Sequence, residues 1–180
     1  MNPAHLQLQQ KLNYQFKDLG LLRDAVTHPS QDRGEKKASS YERLEFLGDR
    51  VLSLLVAEWI YEIYPKENEG ELAKRHAALV NRDCLCEIAD GLALADCLHM
   101  VNPEDLRRGR VNILSDALEA LIGAMYKDSG QLDVLRGVVT ALWQPFVHRD
   151  VVPQDAKSAL QEWAQGKGLP LPEYRVVSHT

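Results

Sequence analysis

Glu42, Glu45 and Asp49 are spaced i, i+3 and i+7, and Asp116 and Glu119 are spaced i, i+3. On an α-helix each set falls on one stripe. The residues around them are those of a protein core. Leu44, Phe46, Leu47, Val51, Leu52, Leu54, Leu55, Val56, Trp59 and Ile60 surround the first set, and Ile113, Leu114, Ala117, Leu118, Ala120, Leu121, Ile122, Ala124 and Met125 the second. A helix apolar on nearly every face is expected to be buried on nearly every face. A carboxylate buried there must be paired, neutralised or bound to a cation. No basic residue stands one turn from Asp116 or Glu119 on their own helix; Arg43 and Arg50 could pair locally on the first helix, but are expected to point off its stripe. Gly48 and Gly123 each cost a helix about 1 kcal/mol against alanine, which suggests that two helices approach closely beside the acids. If those helices pack together, Glu45, Asp49, Asp116 and Glu119 converge into an all-oxygen cluster of the kind that hard cations such as Mg²⁺ or Mn²⁺ prefer. Narrow solvent-exposed stripes or purely structural pairing fit the same spacing, and the residues alone leave both readings open.

Other chemistries find less support. A di-iron carboxylate bundle needs Glu-x-x-His pairs, and none of the six histidines follows a Glu by three residues; Asp96-x-x-His99 is the nearest pattern. Nucleophile arrangements, a phosphate-binding Gly-Lys loop and dinucleotide glycines are absent. Cys84, Cys86 and Cys97 are an odd number without zinc spacing, and are expected to be buried core thiols. The 180 residues, 45% hydrophobic, suffice for one ordinary domain and a fragment of a second. No apolar run is long enough to span a membrane and no secretory leader is evident, so a cytoplasmic protein is expected. The net charge of −5 argues on its face against a nucleic-acid partner, although acids that hold metal ions can coexist with a basic surface elsewhere.

The elements that must position the acids read almost entirely as helix. Leu6–Leu12 and Leu19–Thr27 come first, the second capped by Asp18 and stopped by His28-Pro29-Ser30. A polar loop from Gln31 to Ser40 precedes a long helix from Glu42 to Tyr64, closed by Pro65. Further helices are expected from Glu69 to near Asn81 and from Arg82 to Asp90. A short turn begins at Asn102-Pro103, Arg107-Arg108-Gly109-Arg110 reads as a basic loop, and helices from Ile113 to Lys127 and Gln131 to Val147 complete a domain over residues 1–150. Residues 151–180 begin with a linker, followed by an amphipathic helix from Ala156 to Gln165, a Gly/Pro connection and a strand at Tyr174–Ser178. One helix and one strand make only the start of a second domain.

The run Tyr41-Glu42-Arg43-Leu44-Glu45-Phe46-Leu47-Gly48-Asp49 resembles the nine-residue motif of the ribonuclease III family. Ala25-Val26-Thr27-His28-Pro29-Ser30, Asn68-Glu69-Gly70-Glu71-Leu72 and Ile113 to Ala124 resemble further elements of that family. Ala159-Leu160-Gln161-Glu162-Trp163 with Leu169-Pro170-Leu171-Pro172-Glu173-Tyr174 is similar to the opening of the double-stranded-RNA-binding domain of bacterial members. The chain departs from the pattern at Pro29 and His76, where many members carry basic residues, at Arg50, which replaces a small residue, and in the short segment from Val101 to Asn112.

The resemblance implies an all-α endonuclease domain followed by a helix-strand fragment of an α+β RNA-binding domain. It implies metal ligands at Glu45, Asp49, Asp116 and Glu119, with Asp49 and Glu119 also catalytic. Glu42 and Glu69 match further acids near the cleavage site and the dimer interface, Phe46 matches an aromatic knob in the dimer interface, and Gln161 and Glu162 match RNA-contacting positions. The implied activity is hydrolysis of double-stranded RNA by a homodimer using Mg²⁺, with Mn²⁺ as a substitute. It leaves 5′-phosphate and 3′-hydroxyl ends, in rRNA and mRNA processing. The rival reading is a catalytically silent double-stranded-RNA-binding dimer of the same fold, which is expected to lack at least one of the four acids; all four are present.

Overall fold

The computed structural model describes residues 2–31, 40–100, 102–149 and 156–172. The chain divides into two compact units, Met1–Arg149 and Asp150–Thr180.

Among the described residues of the first unit seven α-helices follow one another, most of them begun by a side chain that accepts an otherwise orphaned amide. Asn2 caps α1 (Pro3–Leu12), and Asp18 caps α2 (Leu19–Ala25) by accepting from the Gly20 amide. After α3 (Ser40–Ile63), Asn68 and Glu71 form a reciprocal capping box on α4 (Glu69–Leu79). Asn81 caps α5 (Arg82–Gly91), and α6 (Pro103–Ser129) starts with Asn102 as cap and Pro103 in its first turn. Gly130, at φ 66°, ends α6, and α7 (Leu132–Trp143) follows. The described residues contain no strand; one isolated bridge joins Thr27 to His99. The expected strand at Tyr174–Ser178 lies outside the described residues.

Two expectations need correction. Arg107-Arg108-Gly109-Arg110 is not a loop: it lies within α6, whose backbone departs from helical angles at Gly109 (φ −115°, ψ 24°). The cap at Asn102 starts the helix early, arginines sustain it, and the glycine absorbs a kink without ending it. Nor is α3 buried all round. Tyr41, Leu44, Gly48, Val51, Leu52, Leu55, Val56 and Ile60 are buried, yet Phe46, Leu54 and Tyr61 are exposed. The domain covers one side of α3, and these three residues form a stripe on another.

The core is built around α6, where Leu114, Ala117, Leu118, Ala120, Leu121 and Ala124 are wholly enclosed. Its packing against α3 depends on glycine. A Cβ on Gly48 would overlap the carbonyl oxygen of Glu119, and one on Gly123 would overlap that of Leu44. Trp143 closes the core from α7, its indole N–H donating to the Leu79 carbonyl at 2.9 Å. The three cysteines are free and buried. Among the described residues no helix is long and apolar enough to cross a membrane.

The second unit contains α8 (Ala156–Gly166), a turn through Gly168 at φ 67°, and exposed Leu160, Trp163, Leu169 and Leu171.

Candidate metal centre

The reciprocal glycine contacts bring the Glu45 turn of α3 against the Asp116–Glu119 turn of α6. Glu45, Asp116 and Glu119 each offer a carboxylate oxygen, and these oxygens lie within 4.8 Å of one another. All three side chains are half-buried.

The electrostatics are those of a crowded anionic cluster, only partly offset by nearby positive charge. Burial, followed by the charges of Asp49, Asp116 and Glu45, pushes the Glu119 carboxyl up to about 7. Burial, then Asp116 and Glu42, raises Glu45. Burial also raises Asp116, against the pull of Arg82 and a long 3.4 Å hydrogen bond from the Ser115 hydroxyl. Arg82, at the first position of α5, favours the ionised form of all three acids. Its guanidinium donates to the Asn112 side chain at 2.7 Å.

Asp49 stands differently from the expectation that Arg50 points off the carboxylate stripe. The Arg50 guanidinium donates to the Asp49 carboxylate. A long flexible side chain needs no helical register to fold back on its neighbour, and both groups reach solvent. Asp49 lies outside the 4.8 Å triangle, although its charge still acts on Glu119 and Glu45. Glu42 is exposed, and Glu69 is exposed at the first position of α4; neither belongs to the triangle. Phe46 is 66% exposed, with the Arg50 guanidinium 5.5 Å from its ring centre. Gln161 is half-buried on α8, and the side chain of Glu162 lies outside the described residues.

Sequence reasoning gave no role to two residues beside the triangle. Arg82 lies far along the chain from Glu45 on one side and from Asp116 and Glu119 on the other, so only the packing of α5 reveals it. Tyr41 lies four residues before Glu45 and could have been found by that spacing. Its ring is buried, and among the described residues its hydroxyl has no hydrogen-bond partner.

A hard divalent cation fits this donor set. The ligands are all oxygen, their charges repel one another, and an enclosed hydroxyl beside them lacks a partner. The cluster can hold a metal ion; its geometry does not choose which.

Comparisons with known proteins identify the family of the chain. The Ribonuclease-III-like family model matches residues 18–144. Ribonuclease 3 of Ehrlichia ruminantium (strain Gardel) is 44% identical over 170 residues, covering 93% of this chain and 74% of that protein. The nuclease domain of ribonuclease III from Campylobacter jejuni superposes with a TM-score of 0.71 at 39% identity, over 86% of this chain and 99% of that one. A second structure of that domain, described for structural flexibility in a region involved in dimer formation, has a TM-score of 0.69 at 40% identity, over 78% and 96%. With the family match spanning the domain that carries the carboxylate cluster, this chain belongs to the ribonuclease III family of endoribonucleases.

Proposed function

We propose that the protein is a homodimeric endonuclease of double-stranded RNA that uses Mg²⁺, or Mn²⁺ in its place. The carrying observation is the convergence of Glu45, Asp116 and Glu119 within 4.8 Å on two helices. Asp49 joins them as the fourth ligand when its carboxylate turns from Arg50. When bound, the cations supply electrophilic stabilisation of the scissile phosphate and of the departing oxygen. The protein's own part is to hold the acids at fixed spacing and, with Asp49 and Glu119, to orient the attacking water. Glu42 and Glu69 assist at the rim of the cleavage site. Cleavage leaves a 5′-phosphate and a 3′-hydroxyl.

The exposed apolar stripe of Phe46, Leu54 and Tyr61 supports a second copy of the chain as partner. With one centre per subunit, a dimer cuts both strands. The Asp150–Thr180 unit is the start of a double-stranded-RNA-binding domain, in which Gln161 and Glu162 face RNA, recognised chiefly by its A-form shape. The setting is cytoplasmic processing of rRNA and mRNA.

Glu119→Gln tests the central step. The amide keeps the shape but is a neutral, weaker ligand. Cleavage of a long RNA duplex should fall by at least about 100-fold, corresponding to the loss of a metal or transition-state contact. Gel-shift affinity at one salt concentration should hold, because it comes mainly from phosphate contacts. Near-normal cleavage at limiting Mg²⁺ would remove Glu119 from the site.

A further inference from the structure

Tyr41 opens α3 one turn before Glu45, and only 3% of its surface is exposed. Its hydroxyl oxygen is enclosed and has no hydrogen-bond partner among the described residues. Leaving a hydroxyl so costs roughly 1–3 kcal/mol, a cost that phenylalanine would avoid. The surroundings are nonetheless polar. Burial first, then the charges of Asp116, Glu45 and Glu119, hold the phenol well above its ordinary range, so it stays a proton donor near neutral pH. The ring of His28 lies beside it, with centroids 5.9 Å apart. The hydroxyl is a donor that feels three carboxylates and is bonded to none of them, and a water held with a cation beside it would give it the partner it lacks. Mg²⁺ and Mn²⁺ held by a few carboxylates complete their coordination with water.

We propose that the Tyr41 hydroxyl donates a hydrogen bond to a water of the hydrated cation held by Glu45, Asp116 and Glu119, which makes Tyr41 a positioning residue of the metal site. The inference rests on the metal reading above and deepens it. The ring belongs to the core; only the oxygen serves the cation. Groups that hold the outer face of a metal's ligands fix their orientation, and losing one lowers metal affinity.

Tyr41→Phe removes one oxygen and keeps the ring. The full chain is compared with wild type by melting in EDTA and by Mn²⁺ titration, using calorimetry and the Mn²⁺ paramagnetic resonance spectrum. In EDTA the variant should melt at the same temperature or higher, because an orphaned hydroxyl has gone. Its Mn²⁺ affinity should fall about tenfold, with a changed Mn²⁺ spectrum. Affinity within about twofold of wild type, on the scale of that expected loss, overturns the role of Tyr41 and leaves the carboxylate site standing. A lower melting temperature in EDTA with unchanged affinity also overturns it, by assigning the hydroxyl to the metal-free fold. Failure of wild type itself to bind Mn²⁺ overturns the metal reading, and the inference with it.

Discussion

Glu119 experiences the strongest opposition to ionisation in the cluster, from burial first and then from three neighbouring acids. A carboxyl with a folded-state pKa of about 7 holds its proton more tightly folded than unfolded. Its stabilising contribution is therefore complete below the ordinary value of 4.5 and is lost as pH rises from there through about 7. In EDTA the melting temperature should fall across that window. Mg²⁺ should raise it more at about pH 7.5 than at about pH 5.5, because cation and proton compete for the same oxygens. A pH series of thermal melts with and without Mg²⁺ checks both, and a metal-induced rise that ignored pH would contradict them. Arg50 opposes the cation differently, by occupying Asp49. Arg50→Ala should tighten Mn²⁺ binding by up to about fivefold, the equivalent of an exposed ion pair of up to about 1 kcal/mol. Calorimetric titration reads this directly; weaker binding would mean that Arg50 orients Asp49 rather than occupying it. The acids themselves were legible in the sequence because charge on an apolar helix demands a reason. Local pairing by Arg43 or Arg50 was legible as a possibility, but the choice of Arg50 with Asp49 was not, since it depends on the rotamers of two solvent-facing side chains. The orphaned Tyr41 hydroxyl was not legible either, because it is defined by what fails to reach it.

At the scale of the element, glycine has opposite meanings in two helices. Gly48 meets backbone on α6, and an alanine there forces the helices apart. Gly48→Ala should cost about 3 kcal/mol or more, at the upper end of overpacking penalties. Gly137 on α7 has nothing within 4 Å of where a Cβ would stand. Gly137→Ala should therefore stabilise by about 0.5–1 kcal/mol through helix propensity alone. Paired urea denaturation curves test the contrast, and similar changes in both variants would refute the close-crossing account. This crossing was readable from two glycines placed within core helices beside acids. The beginning of α6 was not, because Arg-Arg-Gly-Arg has the texture of a loop. Only the cap at Asn102 and the tolerance of one kinked residue at Gly109 carry the helix through it.

For the whole molecule, the net charge of −5 is an incomplete guide to partners. Glu45, Asp49, Asp116 and Glu119 supply four of the negative charges, and bound cations would offset much of that. The exposed stripe on α3 has a similar lesson. A helix apolar on nearly every face need not be covered by its own domain: Phe46, Leu54 and Tyr61 are 66%, 54% and 73% exposed. With that stripe as the dimer contact, wild type should give a dimeric mass by light scattering at micromolar concentration. Phe46→Glu should give a monomeric mass with unchanged helical circular dichroism. A monomeric wild type would leave the stripe without its proposed partner.

The glycine crossing also limits how the centre can move. The backbone contacts at Leu44–Gly123 and Gly48–Glu119 bracket the turns that carry Glu45 and Glu119. Parting the carboxylates by moving their helices would break the core that α6 organises, so the centre has no inexpensive sub-global opening of its own. Ions must enter and leave through the solvent-facing mouth, past side chains that rotate, while the frame behind them stays shut. Exchange of the cation is thereby kinetically separate from breathing of the fold.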